Sequence, residues 1–143
     1  MKSFFIGSDH AGARVKRWVS DFFCDKKIVF HDLSPSNKEG DDYPDVAHLV
    51  SRSVFEKKAF GVLVCGTGIG MSIAANKHKG IRAALCKSPR EAELARKHNN
   101  ANVLVLSGRS SKKDALLILK KFISSNFEGG RHLRRVNKIR KFD

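Results

Sequence analysis

The chain has little cysteine and little proline, the residues that are abundant in disulfide-rich secreted proteins, zinc-binding domains and many disordered segments. It contains 3 cysteines in 143 residues, an odd number, and none of them lies in a CxxC pair. That pattern argues against a disulfide framework and against a zinc knuckle. Only 3 residues are proline, whereas 41% are hydrophobic, so the chain can bury a core and is not a disordered tail. Its length predicts a single domain spanning residues 1–143.

Long apolar runs are also lacking. No stretch approaches the ~20 residues that a membrane-spanning helix needs. Lys2 is followed at once by a short strand-like run and then by Asp9, which leaves no room for the apolar region of a secretory signal. We therefore expect a cytoplasmic protein with no membrane partner.

Acidic residues are scarce, at 14 against 28 lysines and arginines, and the net charge is +14. Such an excess suits nucleic acid or anionic metabolites. The cations are spread along the chain, with one denser patch at residues 131–141. We therefore rank nucleic-acid binding well below binding of an anionic small molecule. DNA binding with a steep salt dependence and no enzymatic activity would favour the alternative.

Residues 61–77, GVLVCGTGIGMSIAANK, are the stretch in which chemistry is expected. A short apolar run ending at Cys65 predicts a strand buried on both faces. Glycines at alternate positions 66, 68 and 70 follow, and then helix-forming residues. The bare N–H groups of such a loop and of a helix N-terminus suit an anion. A cysteine at this point is typical of a reactive thiolate, although a structural turn with an inert buried thiol is an equal alternative.

The glycine loop lacks the features of nucleotide-binding loops. The dinucleotide fingerprint is GxGxxG after the first strand, whereas here the spacing is GxGxG after the third strand, and Met71 stands at the third glycine position. The Gly-Lys-Ser/Thr end of a P-loop is absent. Nucleotide binding is therefore disfavoured.

Strand-like and helix-like segments alternate five times, which predicts an α/β fold, a parallel sheet with helices on both faces. The predicted strands are residues 3–7, 27–32, 61–65, 81–85 and 102–106, and a last basic helix is predicted over 131–141. Helix starts are indicated by Pro44, by Ser88 with Pro89, and by Ser110 or Ser111.

Ligands of such folds bind beyond the carboxyl ends of the strands. The residues expected at that edge are Asp9, His10, Tyr43, Cys65, the glycine loop, His98 and Arg109. Plainer interpretations stand beside this one. Asp9 can simply cap a helix, and His98 can interact with a helix C-terminus. His31, His48 and His78 are interpreted as surface or structural residues.

Six motifs, in order along essentially the whole chain, resemble those of the sugar-phosphate isomerase family that holds the ribose-5-phosphate isomerases of type B and the galactose-6-phosphate isomerase subunits. They are GSDHAG (7–12), DYPD (42–45), CGTGIGMSIAANK (65–77), GIRAAL (80–85), ARKHNNANVL (95–104) and EGGRHLRRV (128–136). The resemblance implies a Rossmann-like, three-layer fold with a five-stranded sheet. It also implies a dimer, or a tetramer of dimers, with active sites shared between subunits.

The activity that the resemblance implies is aldose–ketose isomerisation of a sugar phosphate, such as ribose 5-phosphate to ribulose 5-phosphate in the pentose phosphate pathway, without metal or cofactor. Cys65 would be the base, and His98 would open the furanose ring with help from Asp9. Thr67 and the N–H groups of Gly66, Gly68, Ile69 and Gly70 would hold the enediolate, and Asn99 and Tyr43 would contact the sugar. The phosphate would be held by His10 and Arg109, with Arg131 and Arg135 of the partner chain. Some relatives carry a glutamate near the end of the glycine loop instead of the cysteine; with Met71 there, this chain is of the cysteine type.

Elementary chemistry agrees with this assignment, because isomerisation needs one base and electrostatic support for an enediolate. Arg131 and Arg135 are four residues apart and share one face of a helix. They follow the break at Gly129 and Gly130, which lets the last helix leave its own domain. We therefore predict an obligate dimer in which this helix reaches the partner's site. The preferred sugar and the choice between dimer and tetramer stay open.

Overall fold

The computed structural model describes residues 2–143, and five strands and six α-helices lie within them. The strands are β1 (Phe4–Ser8), β2 (Phe30–Asp32), β3 (Phe60–Cys65), β4 (Ala83–Leu85) and β5 (Val103–Ser107). The helices are α1 (Ala13–Asp25), α2 (Tyr43–Lys57), α3 (Ile69–Asn76), α4 (Pro89–Asn99), α5 (Lys112–Ser124) and α6 (Arg131–Arg140). One 3₁₀ turn, His10–Gly12, precedes α1.

All strand pairs are parallel, and the sheet order is β2-β1-β3-β5-β4. Helices α1, α4 and α5 supply one hydrophobic core and α2 and α3 the other, so helices cover both faces. This division is what right-handed crossovers require for this strand order. The predicted α/β, Rossmann-like fold is confirmed. The chain changes direction between β1 and β3, and the loops that leave these strands diverge into a crevice.

The central strands are buried on both faces, as their continuous apolar runs predict. In β3, Val62 and Val64 pack in the core formed with α1 and α5, whereas Leu63 and Cys65 face α2 and α3. Each such apolar side chain stabilises the fold by roughly 1.5–3 kcal/mol when fully buried. Cys65 is therefore anchored by a rigid strand at the point where that strand meets the crevice.

Helix caps follow the sequence closely. The Ser88 hydroxyl accepts a hydrogen bond from the Glu91 amide at 3.2 Å, with Pro89 in the first turn. Of the two candidates for the start of α5, it is Ser111 that caps, accepting from the Asp114 amide at 3.1 Å. Such a cap is worth about 1 kcal/mol.

Two predicted strands are shorter than expected. β2 begins at Phe30 instead of residue 27, because Lys27 takes a left-handed conformation (φ 55°) that ends the preceding helix. β4 begins at Ala83 instead of residue 81, because side chains replace strand partners there. The Asn102 side-chain oxygen accepts from the Arg82 amide, and that of Asn76 accepts from the Ala83 amide, both at 2.8 Å.

Helix α6 lies at the edge where the strands begin. It packs on α4, and the Asp143 carboxylate just beyond it accepts from the Gly80 amide, which precedes β4, at 3.1 Å. Among residues 2–143, no helix combines the length and the apolar character needed to cross a membrane.

Candidate active site

Three loops meet at the carboxyl edge of the sheet, after β1, β3 and β5. The Asp9 amide donates to the Val64 carbonyl at 3.3 Å, and the Gly108 amide donates to the Cys65 carbonyl at 2.7 Å. Ser107 joins two of the loops, because its hydroxyl donates to the Gly66 carbonyl at 2.9 Å and accepts from the Arg109 amide at 3.1 Å. The backbone around Cys65 is thus held from both sides.

Cys65 is the last residue of β3 and is only 4% exposed. Its Sγ accepts a hydrogen bond from the Gly68 amide at 3.2 Å, in a loop that turns because Gly68 has a φ of 82°. The sulfur therefore lies at the start of α3 with a donor aimed at it.

Thr67 occupies the same loop and is half-buried. Its Oγ1 accepts from the Ile69 amide at 3.2 Å, so the hydroxyl proton remains free to donate elsewhere. This hydroxyl and the loop amides are the hydrogen-bond donors that the sequence analysis predicted for this site.

Tyr43, the first residue of α2, lies over the glycine loop. A Cβ added to Gly70 would meet the Tyr43 Cζ at 2.5 Å, so only a glycine allows the ring to lie this close. The tyrosine is 37% exposed and therefore accessible from the crevice.

The position of Asp9 is compatible with both roles considered for it, helix capping and proton transfer. Its carboxylate caps the 3₁₀ turn by accepting from the Gly12 amide at 3.0 Å, which confirms the capping interpretation. It is also buried at the crevice, and burial raises the pKa of this carboxyl. A carboxyl that holds its proton more firmly than usual is suited to proton transfer.

His10 is paired with an acid that the sequence did not single out. Asp41 Oδ1 accepts from the His10 amide at 2.8 Å and contacts the His10 Nδ1 at 2.7 Å. Asn37 donates to the other Asp41 oxygen at 3.2 Å. The hydrogen bond that the His10 ring donates to Asp41 raises the pKa of this exposed ring, which favours its cationic form. The exposed Arg109 follows β5 at the same edge.

The expectation that His98 lies at this edge is wrong. His98 and Asn99 are the last residues of α4, which starts after β4 and runs back to where the strands begin. There the Ala101 amide donates to the Ala95 carbonyl, and Arg82, just before β4, donates to the Asn100 carbonyl. Because β3 rises by about 13 Å from Gly61 to Cys65, His98 lies roughly a strand length from Cys65 in the same subunit.

A second group of polar side chains therefore gathers at the opposite edge. Arg131 and Arg135 lie on α6, as predicted, and both are exposed. His98 is close by on α4. His132, to which the sequence assigned no role, is buried between them and stacks on His98, with ring centroids 4.1 Å apart. The spacing of His132 and Val136, both buried and four residues apart, was the available sign that they form the inner face of α6.

Two clusters of side chains bring potential metal ligands within 4.8 Å of one another: Asp9 with His10 and Asp41, and His98 with Glu128 and His132. In the first, the His10 Nδ1 is already bound to Asp41. In the second, the imidazole planes are within 12° of parallel. Since imidazole binds a metal in its ring plane at about 2.0–2.1 Å, two stacked rings cannot both face one ion. Neither cluster fits a metal well.

A cysteine that accepts a hydrogen bond from a glycine loop, at the switch point of an all-parallel sheet, is the arrangement of a Rossmann-like α/β enzyme. Residues 4–139 match the family described as Ribose/Galactose Isomerase, so the chain belongs to that family and is an isomerase. A probable ribose-5-phosphate isomerase B from Mycoplasma genitalium is 46% identical over 143 residues, 97% of this chain and 94% of the relative. Ribose-5-phosphate isomerase B from Escherichia coli is 38% identical over 141 residues, 97% and 95% of the two chains.

Solved structures give the same result. A ribose 5-phosphate isomerase from Thermotoga maritima superposes with a TM-score of 0.94 and is 48% identical. The match covers 98% of each chain. The ribose-5-phosphate isomerase B of Mycoplasma genitalium, solved with bound ribulose-5-phosphate, has a TM-score of 0.94 and 44% identity, with 98% of this chain and 95% of that one covered.

Proposed function

We propose that this enzyme interconverts ribose 5-phosphate and ribulose 5-phosphate through an enediolate, with Cys65 as the base. The observation that carries the proposal is the Cys65 Sγ at the end of β3, 3.2 Å from the Gly68 amide and beside the loop of Asp9 and His10. The bound ribulose-5-phosphate of the Mycoplasma genitalium relative supports a pentose phosphate as substrate.

In the forward direction the Cys65 thiolate takes the proton from C2 of the open-chain aldose. The electron pair left at C2 forms the C1–C2 double bond, and the carbonyl oxygen at C1 gains the negative charge. The free Thr67 hydroxyl proton and those loop amides that make no hydrogen bond within the loop stabilise this enediolate. The thiol then returns a proton to C1, the hydroxyl proton at the C2 oxygen passes to the C1 oxygen, and the C2 oxygen becomes the carbonyl. No outside oxidant or reductant is needed.

Ring opening needs a group that moves a proton between the ring oxygen and the C1 hydroxyl. His98 is proposed for this step, with the raised-pKa carboxyl of Asp9 assisting. Since His98 and Cys65 lie at opposite edges of one sheet, the two steps need His98 and Asn99 from a second subunit. This extends the predicted sharing from the arginines of α6 to the end of α4.

The phosphate is assigned to His10 and Arg109 of one subunit and to Arg131 and Arg135 of its partner. His10 is held as a cation by Asp41, and arginine forks match phosphate oxygens. Four cationic groups around one dianion would repel one another in a single subunit. Here two of them come from the partner and join the site only when the dimer forms.

An exposed apolar strip beside the site supports the second subunit. Ile69 and Ile73 stand one turn apart on α3, directly after the glycine loop, and are 52% and 59% exposed. Leu49 on the adjacent α2 is 49% exposed. Such a surface is typical of an interface. A dimer formed on it would place a partner next to Cys65.

The first experiment measures two activities of Cys65→Ser and His98→Asn. One is turnover of ribose 5-phosphate, with six-carbon aldose phosphates assayed in parallel. The other is exchange of solvent deuterium into C1 of ribulose 5-phosphate, which has no furanose ring to open. Cys65→Ser should lose about 10³-fold or more in both, because a hydroxyl is a far weaker base than a thiolate.

His98→Asn should lose turnover of the cyclic aldose while retaining most of the C1 exchange. Exchange near the wild-type rate in Cys65→Ser would refute Cys65 as the base. Equal losses of turnover and exchange in His98→Asn would refute a role confined to ring opening. Activity on hexose phosphates alone would refute the pentose substrate.

A further inference from the structure

The stacked pair of His98 and His132 is the polar contact that the proposed chemistry does not yet use. The two rings are 4.1 Å apart between centroids and within 12° of parallel. His132 is 6% exposed, whereas His98 is half-buried and borders solvent. One ring therefore lies inside the protein and the other lies on top of it, at the surface proposed to face the partner.

Stacking uses the face of the His98 ring and leaves its edge free. Both nitrogens of an imidazole bind in the ring plane, so a neighbour on the face holds the ring without occupying either nitrogen. A hydrogen-bonded neighbour would fix the ring equally well, but it would take one of the two positions. A group that passes a proton between two sugar oxygens needs its nitrogens unblocked.

The buried ring is itself held in place. Its Nε2 faces the Glu128 carboxylate at 3.7 Å, and its amide donates to the Gly129 carbonyl at 3.0 Å. The Glu128 amide donates to the Lys97 carbonyl at 3.1 Å, which ties the segment before α6 to the last turn of α4. The stack therefore joins two helices that are both proposed to contribute residues to one site.

The charge around the pair favours a neutral His132. Burial lowers the pKa of this ring, and His98 and Arg131 beside it lower the pKa further. Arg135 acts in the same direction, and Glu128 acts against it. A neutral ring beneath His98 allows His98 to gain and lose a proton without a second cation against its face.

We infer that His132 is a positioning residue, which sets the plane of the His98 ring so that its nitrogens reach the sugar ring in the partner's site. The inference rests on the proposed function of His98. It names the contact through which α6 contributes to the chemistry as well as to phosphate binding.

The test compares His132→Phe, which keeps an aromatic face, with His132→Leu, which keeps bulk but no face. His31→Leu is the matched control, because His31 also stacks on a ring (Phe5, 5.2 Å) but lies on the edge strand β2, away from the site. The readouts are kcat and KM for ribose 5-phosphate, C1 exchange of ribulose 5-phosphate, and the NMR titration of the His98 ring. Circular dichroism and sedimentation verify fold and assembly.

For His132→Leu we expect kcat on ribose 5-phosphate to fall by about 10–100-fold, as for a misplaced group, with KM and C1 exchange little changed. The His98 titration should shift. His132→Phe should retain kcat within about threefold, because the stacking face remains, and His31→Leu should match the wild type.

Equal losses in the Phe and Leu variants, or an unchanged kcat in both, would overturn the inference. If His132→Leu does not fold, His132→Phe is the test. The inference then requires that His132→Phe keeps kcat and changes the NMR titration of the His98 ring, and it is overturned if either fails. The proposed function fails in a different way: an active His98→Asn variant would remove His98 from the chemistry whatever the stack does.

Discussion

The three cysteines show how much surroundings decide reactivity at the scale of a residue. Cys24 is exposed on α1, whereas Cys86 is buried, and burial raises its pKa to about 12. A thiol so rarely ionised does not react at neutral pH. Cys65 is also buried, but it lies on the crevice and accepts a hydrogen bond from the Gly68 amide.

Iodoacetamide should therefore label Cys24 and Cys65 but not Cys86, and only the label on Cys65 should inactivate. Ribulose 5-phosphate should slow inactivation without slowing the labelling of Cys24. Mass spectrometry of the labelled peptides, taken alongside residual activity, checks this. The control is Cys24→Ser, which should inactivate at the wild-type rate. Inactivation that follows Cys24 labelling would contradict the assignment.

Asp41 should control the pH range over which His10 holds phosphate. Its hydrogen bond raises the His10 pKa, so the ring stays cationic below that raised value and loses its charge as pH rises through it. In Asp41→Asn the loss should begin at a lower pH. We expect KM near pH 7.5 to rise about tenfold, the value of one charge-assisted hydrogen bond, with kcat little changed.

The matched control for Asp41 is its neighbour Asp42, which stands at the start of α2 without a capping hydrogen bond from its side chain. Asp42→Asn should leave the pH dependence of KM as it is in the wild type. The same displacement in both variants would point to general surface charge, and no displacement in Asp41→Asn would contradict the pairing.

The sequence predicted the residues of the carboxyl edge well, because each follows a strand directly and parallel strands end together. Asp9, His10, Cys65, Thr67 and Arg109 all lie there. Asp41 and His132 were missed for a physical reason. Their roles come from contacts with residues 31 and 34 positions away, which local spacing does not encode.

At the scale of elements, Tyr43 and Gly70 couple the starts of α2 and α3. Alanine favours a helix over glycine by about 1 kcal/mol, but here its Cβ would meet the Tyr43 ring at 2.5 Å. Gly70→Ala should therefore lower the free energy of unfolding by about 1–2 kcal/mol, as overpacking does, and raise KM. In a Tyr43→Ala background the same change should be neutral or stabilising. Urea unfolding of the four chains checks the coupling, and additive effects would contradict it.

The placement of His98 shows where sequence reasoning about elements fails. The residue was assigned to the carboxyl edge because the other candidates lie there, yet it ends a helix of 11 residues. A helix of this length rises about 16 Å, which returns the chain to the opposite edge. The strand order was also not predictable, because β5 inserts between β3 and β4 through contacts distant in sequence.

At the scale of the whole molecule, the net charge of +14 suits the sugar-phosphate dianion proposed as substrate. A positive surface raises the encounter rate of an anionic ligand and does so less at high salt. The two arginines proposed for the partner's site, Arg131 and Arg135, are part of that excess on α6. The proposed activity therefore gives this charge a use that does not depend on nucleic acid.

Cys65 and His98 lie at opposite edges of the sheet, so mixing chains that each lack one of them tests the assembly directly. In a mixed dimer of Cys65→Ser with His98→Asn, one proposed site collects both lesions and the other collects none. Random pairing should then restore about a quarter of the wild-type activity to the mixture, and the purified heterodimer should have about half. Cys65→Ser mixed with Arg131→Ala/Arg135→Ala should behave in the same way, because those arginines also come from the partner.

The matched control is Cys65→Ser mixed with His10→Asn, whose lesions lie at the same edge of one subunit. Each site of that mixed dimer carries one lesion, so the activity should not exceed that of the two parent variants at the same substrate concentration. The heterodimers are purified through two different affinity tags, and turnover of ribose 5-phosphate is measured in each. Rescue in the control, or its absence with His98→Asn in verified heterodimers, would contradict a site shared between subunits. Cys65 and His98 lie at opposite edges of one sheet. If both act on one sugar, the mixture of Cys65→Ser with His98→Asn must regain activity and the control must not.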